Sequence, residues 1–516
     1  MQVLTPVRHY KRPVTRPFTK AERSYTTILF GGLTYTHDYL LEGALKGMGY
    51  LAKHLPVPDN DSLFVGKEYG NRGQCNPTYY TVGNLIKYLN YLRECGVEDI
   101  EEKYVFLTAG SCGPCRFGMY EAEYKKALQE AGFPGFRVLL FQQKDEFNQG
   151  EESGIEITPG FFVTVLKTIM AADMVNELGY KIRPYEITSG ETDKCIAEAR
   201  DILYRALTDK RPLFRALIKV RKIFFSIRVD YSRVKPKVKI TGEFWAMTTE
   251  GDGNYGLHRW LESEGAEVIA EPVSTWAEYV FWEHSLRAKD RIGIKKGAIS
   301  SLLILSAVRL LFKACYNSYR FFLNFRPNPL PSQSKMAEYA HDYYNARISG
   351  GESHMEVGKH IMSFREKKAH LVISVKPFGC MPSTQSDGVQ AKVITDLRDS
   401  LFLPIETSGD GEVNVKSRIQ MKLYEAKERA RQEVSALLTT HSLTMKQVEE
   451  HSRTNPCHGM IRLPHHTVTT AGNFMQTLIS RKLTKVHENP HPHLNPLPEG
   501  GEITLPFKGR DRVGMG

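Results

Sequence analysis

The segment Lys103–Tyr120, KYVFLTAGSCGPCRFGMY, decides how the rest of the chain is organised. Its apolar run Tyr104–Leu107 predicts a strand, and from Arg116 onward apolar residues recur at three- and four-residue steps, which predicts a helix. Cys112 and Cys115 therefore lie on a loop between a strand end and a helix start. Backbone N–H groups and the helix dipole favour a thiolate or another anionic group at such a place.

Strands and helices alternate in the residues around this segment. A strand, a helix and a strand precede it and a further strand follows it, at Tyr25–Gly31, His37–Gly49, Leu51–Val57 and Gly135–Gln142. Such alternation is typical of a mostly parallel sheet, whose ligands bind at the carboxyl ends of its strands. Cys75 has the same placement, because its loop GNRGQCNP leads directly into a predicted helix.

The second half of the chain repeats the α/β pattern. Its predicted strands lie at Val238–Gly242, Ala266–Ala270, Ala369–Val375 and Ser400–Ile405. Cys380 follows the third of these strands, in the loop PFGCMP. We therefore expect an N-terminal arm over residues 1–23, an α/β domain over 24–235 carrying Cys75, Cys112 and Cys115, a second α/β domain with a helical insertion over 236–440 carrying Cys380, and an irregular or disordered tail over 441–516.

Composition narrows the class of protein. The chain has 516 residues, of which 41% are hydrophobic, so it is long enough for more than one core. The basic, proline-containing N-terminal residues do not have the pattern of a signal peptide. The apolar segment Ile299–Phe312 is too short to span a bilayer, and it carries Arg309. We expect that segment to be a buried helix, and the protein to be cytoplasmic, without a membrane partner. The net charge of +11 permits nucleic-acid binding, but no nucleic-acid-binding motif accompanies it.

Three kinds of site are compatible with the cysteines. The spacing Cys112-x-x-Cys115 suits a structural zinc ion, but the sequence offers no second compact C-x-x-C or H-x-x-H. A thioredoxin-like thiol–disulfide oxidoreductase would use Cys-Gly-Pro-Cys between a strand and a helix, yet it leaves Cys75 and Cys380 without a role. An iron–sulfur cluster bound by thiolates from separate loops uses all four cysteines. The other cysteines are expected to be buried small hydrophobes, namely Cys95, Cys195, Cys315 and Cys457.

Six segments taken together carry a family resemblance. They read GKEYGNRGQCNPTYYTVGN, VFLTAGSCGPCRFGMYEAEY, GEFWAMTTEGDGNYGLHRWLESEGAEV, GGESHMEVGK, VKPFGCMPSTQSDGV and PIETSGDGEVNVKSR. They resemble the 2-hydroxyacyl-CoA dehydratase/benzoyl-CoA reductase superfamily, and within it the branch of iron–sulfur proteins related to the acyl-CoA dehydratase activase. The resemblance extends over about Tyr25–Leu437.

The resemblance implies a fold, a cofactor and partners. The fold is α/β, with two or more flavodoxin-like parallel-sheet domains around a cysteine-bound cluster of the 4Fe-4S type, which is a double cubane in some relatives. The implied cluster ligands are Cys75, Cys112, Cys115 and Cys380. The implied partners are an activase-type ATPase with its own iron–sulfur cluster, an acyl-CoA-type substrate, and a second subunit in a homodimer or heterodimer.

Two functions remain open within that resemblance. Four thiolates would close every corner of a cubane and leave an electron carrier, whereas an open iron position would give a reductase or dehydratase component. For the second function the resemblance places polar loops near the cluster, and we predict His354, Glu406 and Glu250 as catalytic residues. His354 is the expected proton donor, because the ordinary pKa of histidine lies near neutrality.

Overall fold

The computed structural model describes residues 16–110, 115–141, 154–348, 350–352 and 354–484. Within these residues the chain is a mixed α/β protein, mostly helical, with two parallel sheets of four strands each. The fold class predicted from the alternation of strands and helices is confirmed at this level.

Ten strands occur in the described residues. They are β1 Thr27–Phe30, β2 Ala52–His54, β3 Tyr104–Ala109, β4 Arg137–Phe141, β5 Arg228–Val229, β6 Lys237–Gly242, β7 Glu267–Ile269, β8 Leu371–Pro377, β9 Leu401–Thr407 and β10 Cys457–His458. All eight strands of the two predicted α/β units are present, and half of them are shorter than expected.

The helices fill the intervals between the strands. They are α1 Tyr35–Gly47, α2 Asn60–Tyr69, α3 Asn76–Glu94, α4 Ile100–Lys103, α5 Tyr120–Glu130, α6 Pro159–Ile182, α7 Glu191–Thr208, α8 Leu213–Ser226, α9 Phe244–Thr248, α10 Leu257–Ser263, α11 Val273–Asp290, α12 Ala298–Phe322, α13 Gln333–Ala340, α14 His354–Arg365, α15 Met381–Asp396, α16 Glu412–Thr440, α17 Met445–Thr454 and α18 Thr470–Thr484. Short 3-10 turns lie at Lys20–Ser24, Arg116–Met119, Arg183–Tyr185 and Asp252–Asn254.

The two sheets share one topology. The first has the order β2-β1-β3-β4 and the second has the order β7-β6-β8-β9, with all neighbours parallel. In each case the chain starts in an inner strand, goes to one edge, and then returns across the sheet. Because parallel strands direct their carboxyl ends to one side, each sheet gathers its strand-end loops along a single edge.

Burial and a glycine explain why β8 and β6 occupy the centre of the second sheet. Every residue of β8 is buried, as expected of a parallel strand covered on both faces. At the end of β6, Gly242 has a φ of +123°, and a β-carbon there would collide with the carbonyl oxygen of Val375. Only glycine allows the two strands this approach.

A helical layer lies between the sheets in sequence and forms the largest hydrophobic cluster. Leu178 of α6, Leu203 of α7, Leu217 of α8 and Phe474 of α18 meet in it, each almost fully buried. The participation of α18 differs from the predicted irregular or disordered tail over 441–516. Residues 445–454 and 470–484 are helical, because apolar side chains there complete the core, whereas residues 485–516 lie outside the described residues.

Part of the N-terminal arm packs against the first sheet. Glu22 forms an ion pair with Arg137 of β4 at 2.7 Å between Oε1 and Nη1, and both side chains are almost fully buried. Phe18 is buried beside them. The predicted N-terminal arm therefore packs against the first sheet from residue 16 onward, and residues 1–15 lie outside the described part of the chain.

The expected burial of the apolar segment Ile299–Phe312 is wrong. The segment belongs to α12, and many of its apolar side chains face solvent, among them Ile299, Leu303, Leu310 and Leu311. The hydropathy of the sequence predicted an apolar helix, but it could not tell which neighbour would cover it. By length and composition α12 is long and apolar enough to cross a membrane, and it is the one such helix among the described residues.

Candidate functional site

The described cysteines of interest occupy equivalent places at helix starts. Cys75 is the residue that caps α3, Cys380 caps α15, and Cys115 precedes the 3-10 turn that leads into α5. None of the three uses its side chain to accept a capping hydrogen bond. The prediction that these cysteines lie on loops entering helices is confirmed, and Cys112 lies outside the described residues.

The loops that carry Cys75 and Cys380 are in direct contact. The backbone N–H of Asn76 donates to the carbonyl oxygen of Phe378 at 3.1 Å. A β-carbon placed on Gly379 would be 3.4 Å from the Cα of Cys75. Since consecutive Cα atoms are about 3.8 Å apart, the Cα atoms of Cys75 and Cys380 lie within about 9 Å of each other.

The loop that carries Cys115 reaches the same place. The guanidinium of Arg116 donates to the carbonyl oxygen of Gly73, two residues before Cys75. Helix α5, which follows that loop, brings Tyr120 to the Cys75 thiol, with 3.1 Å between the phenol oxygen and Sγ. Loops separated by more than 300 residues of sequence therefore meet at one site between the sheets.

The Cys75 thiol is surrounded by hydroxyl groups. Besides Tyr120 it contacts the Oγ1 of Thr78 at 3.2 Å, and the thiol itself is buried. Burial raises the pKa of Tyr120 well above its ordinary value, and Cys75 raises it further. Tyr120 therefore stays protonated at neutral pH and can donate a hydrogen bond to a sulfur anion.

The Cys380 thiol begins a short chain of hydrogen bonds. Its Sγ donates to the Oγ of Ser383 at 3.2 Å, and that hydroxyl donates to Oε1 of Glu356 at 3.2 Å. Burial raises the pKa of the Cys380 thiol, and the Glu243 carboxylate raises it further. Burial likewise raises the pKa of Glu356, to about 7, although Lys376 and Ser383 oppose the shift. The chain connects a thiol to a carboxyl group that titrates near neutrality.

Carboxyl groups crowd the same edge of the second sheet. Glu352 accepts a hydrogen bond from the backbone N–H of Phe244 at 2.7 Å, next to Glu243 at the end of β6. Burial raises the pKa of Glu352 well above its ordinary range, and the Glu243 and Glu356 carboxylates raise it further. Lys376 of β8, paired with Asp387, and the buried Lys359 of α14 are nearby cations. The raised pKa values reduce the negative charge of these carboxyl groups, and with the two lysines they make this edge compatible with an added anionic group.

The three predicted catalytic residues are less central than expected. Glu250 is exposed and accepts from the backbone N–H of Tyr35 at 2.7 Å, and Glu406 is exposed on β9. His354 is fully buried between the rings of Trp282 and Tyr279, with centroid distances of 4.8 and 5.8 Å. In the described part of the chain none of the three forms a hydrogen bond with the thiol of Cys75 or Cys380.

The environment of His354 disfavours its predicted role as proton donor. Burial lowers the pKa of this histidine to about 4, and the nearby Lys359 lowers it further. At neutral pH the ring is therefore neutral and has no extra proton to transfer. The assignment stays a prediction, and Glu356 is better placed for that role.

Sequence reasoning missed the hydroxyl groups, although the sequence carried a signal for them. Cys75-Asn-Pro-Thr78 and Cys380-Met-Pro-Ser383 share the pattern C-x-P-[ST], and Cys112-Gly-Pro-Cys115 has a second cysteine in the last position. In both described cases the hydroxyl lies 3.2 Å from the thiol of the same motif. The proline starts the helix, and the next residue turns its side chain back toward the cysteine.

The remaining cysteines have other surroundings. Cys195 is buried as expected and Cys315 and Cys457 are half-buried, but Cys95 is exposed at the end of α3. The expectation of burial is therefore wrong for Cys95, whose helix ends at the surface. In residues 16–110, 115–141 and the later described ranges, no three His, Cys, Asp or Glu side chains stand together as a ready metal site.

Comparison with known proteins adds no assignment. A scan of protein-family models found none that matches this chain, and a search of curated proteins found no match either.

Proposed function

We propose that the chain is a low-potential iron–sulfur redox protein whose cluster is bound by Cys75, Cys112, Cys115 and Cys380. The observation that carries the proposal is the contact between the Cys75 loop, which joins α2 to α3, and the Cys380 loop, which follows β8 of the second sheet and is far away in sequence. A structural role alone does not require two cysteines at helix starts to meet there. Soft thiolate donors beside backbone N–H groups are what an iron–sulfur cluster requires.

The described thiols suit such a cluster in their chemistry. Since no three ligands already stand together in the described residues, cluster insertion would have to draw the side chains together. The Cα atoms of Cys75 and Cys380 lie within about 9 Å of each other, which supports the binding of one cluster by both residues. When bound, the cluster would supply one-electron transfer at low potential.

The residues around the thiols have definite tasks in this proposal. Tyr120 and Thr78 donate hydrogen bonds to the Cys75 sulfur, which stabilise negative charge on it. When Cys380 becomes a thiolate ligand, its proton passes to Ser383 while the Ser383 hydroxyl proton passes to Glu356. Glu356 ends as a neutral carboxyl, which its raised pKa permits.

The resemblance extends the proposal to partners. We propose that an activase-type ATPase with its own iron–sulfur cluster delivers electrons to the site, in the cytoplasm. An acyl-CoA-type compound is the proposed final acceptor, reached directly or through a second subunit. The two sheets with the order second-first-third-fourth support the flavodoxin-like domains that the resemblance implies, because flavodoxin-like sheets begin with the same strand order.

Anaerobic reconstitution with iron and sulfide tests the proposal. The wild-type chain should bind iron and sulfide and give an EPR signal after reduction. Cys380→Ser, which changes little volume, should keep the far-ultraviolet circular dichroism spectrum and lose iron or change the EPR signal. Cys95→Ser is the matched control, because its thiol is exposed and lies at the opposite end of α3 from Cys75.

Two results would contradict the proposal in different ways. Full iron content and an unchanged EPR spectrum in Cys380→Ser would remove this residue from the ligand set and leave three thiolates with an open iron position. A colourless wild-type chain whose Cys112 and Cys115 cycle between dithiol and disulfide would favour the thioredoxin-like function instead.

A further inference from the structure

Helix α12 exposes a broad apolar face that the described chain leaves uncovered. Its first half presents Ile299, Leu303, Ile304, Leu310 and Leu311 to solvent, and Leu310 is 71% exposed. These side chains occupy the half of the helix that faces away from α11, whereas Ala298 and Phe312 on the other half are buried. Soluble proteins rarely leave so continuous an apolar surface in water, so a partner for it is expected.

The tip of the α11–α12 hairpin adds positive charge next to that face. Lys289, Arg291, Lys295 and Lys296 are all exposed, and none of them forms an ion pair with the described residues. The one acidic residue of the tip, Asp290, is neutralised by Arg347, with 2.9 Å between the carboxylate and Nε. Between the basic residues lies Ile294, which is 84% exposed.

The anchoring of the helix decides how a membrane could be contacted. Phe312, Tyr316 and Tyr319 are buried in the helical core cluster, so the second half of α12 belongs to the folded body. On its covered side, Arg309 pairs with the buried Glu278 of α11 at 2.6 Å. A helix held in this way cannot cross a bilayer, but its free face can lie in the interface, as monotopic helices do.

We propose that the α11–α12 hairpin docks on the surface of an anionic lipid bilayer. The exposed apolar side chains enter the boundary between headgroups and acyl chains, and the four unpaired basic residues of the tip contact lipid phosphates. Each such lysine or arginine adds attraction to an anionic surface. The proposal is independent of the cysteine site and replaces the expectation of a chain without a membrane partner, which depended on α12 being buried.

Charge complementarity favours lipid over a second copy of the chain. In a symmetric dimer the same patch occupies both sides of the interface. Pairing two α12 faces side by side would then bring two basic tips together, and pairing them in opposite directions would place each tip near Arg320 of the other copy. Both arrangements oppose like charges, whereas a phosphate surface compensates them.

Vesicle co-sedimentation of the full chain tests the proposal. The probes are vesicles of phosphatidylcholine alone and vesicles that also contain about 30 mol% phosphatidylglycerol, an anionic fraction large enough to attract basic residues. We expect the chain to bind the anionic vesicles at least about tenfold more strongly, and to lose most of that preference at about 0.5 M salt, where charges are screened.

Three double variants separate the contributions. Leu303→Gln with Leu310→Gln should abolish vesicle binding, and Lys295→Glu with Lys296→Glu should weaken binding to anionic vesicles by about tenfold or more. Met421→Gln with Tyr424→Gln on α16 is the matched control, since both side chains are 67% exposed and lie on another helix. The control should bind vesicles as the wild type does, and iron content should be unchanged in all three.

Three outcomes would overturn the proposal. Absence of wild-type binding to either vesicle type excludes lipid as the partner. Equal binding to neutral and anionic vesicles excludes the role of the basic tip. Concentration-dependent dimerisation without vesicle binding, abolished by Leu303→Gln with Leu310→Gln in sedimentation velocity runs, would identify a second copy as the partner.

Discussion

The third strands of the two sheets end in loops with related sequences and different chemistry. β3 ends at Ala109, three residues before Cys112, and β8 ends at Pro377, three residues before Cys380. Both cysteines are followed by x-Pro and then by a residue with a polarisable or polar side chain. In the first loop that residue is Cys115 and in the second it is Ser383.

The difference between the loops suggests a division of labour. The first motif contains two cysteines, whereas in the second the Cys380 thiol is connected by hydrogen bonds through Ser383 to Glu356. One strand order thus places two versions of the same sequence motif directly after the third strand of each sheet. The strand order of the sheet determines where the motif lies, and single residues of the motif determine its chemistry.

The largest expected loss of stability follows from replacing the glycine at the end of β6, and the glycine after β1 provides the comparison. Gly242→Ala should destabilise the protein by about 4 kcal/mol or more, because the new β-carbon collides with the Val375 carbonyl in the middle of the second sheet. In the first sheet Gly32 has a φ of +115° but open space around it, so Gly32→Ala should cost only about 1–2 kcal/mol. Denaturant titration of both variants measures the two losses in the free energy of unfolding. Equal losses would show that the positive φ angle alone destabilises each variant and that the close approach of β6 and β8 adds nothing.

The next effect concerns a buried ion pair of the second sheet. Glu271→Gln should destabilise the protein by about 3 kcal/mol at pH 7, since Lys239, at 2.6 Å, and Lys359 would remain buried without their counter-charge. Glu428→Gln, which removes an exposed pair with Arg431, should cost less than about 0.5 kcal/mol. Similar losses in the two variants would contradict the buried-charge argument.

The same pair predicts a pH dependence. Burial raises the pKa of Glu271, but Lys239 and Lys359 outweigh it and lower the pKa from 4.5 to about 2. The contribution of Glu271 is therefore complete above pH 4.5 and is lost as the pH falls through about 2. The stability difference between wild type and Glu271→Gln should accordingly narrow in acid.

The stability contribution of Asp38, which lies in helix α1 after the first strand, should depend on pH in the opposite way. Burial raises the pKa of this carboxyl from 3.8 to about 6, although the Gly32 N–H and His37 oppose the shift. Its favourable contribution is complete below pH 3.8 and is lost as the pH rises through about 6. Asp38→Asn should therefore gain about 2 kcal/mol relative to wild type between pH 3.5 and pH 7. A difference that does not vary with pH over this range would show that the carboxyl titrates normally.

Among the buried residues discussed, the smallest effect is expected at His354. His354→Gln should change stability by about 1 kcal/mol or less, because the histidine is already neutral in its aromatic pocket at neutral pH. It should leave the pH profile of cluster reduction by dithionite unchanged, whereas Glu356→Gln should shift that profile. A shifted profile in His354→Gln alone would restore the histidine as the proton donor.

Local sequence patterns were sufficient to predict much of the secondary structure of this protein. Apolar runs such as Leu371–Val375 and the period of α16 depend on neighbours in sequence, so the strands, most helices and the positions of the cysteines at helix starts were predictable. Only the tertiary structure showed that Asn76 binds Phe378, that α18 completes the core, and that α12 faces solvent. Those features depend on which surfaces meet after the chain has folded, and an apolar side chain has the same hydropathy whether another helix covers it or not.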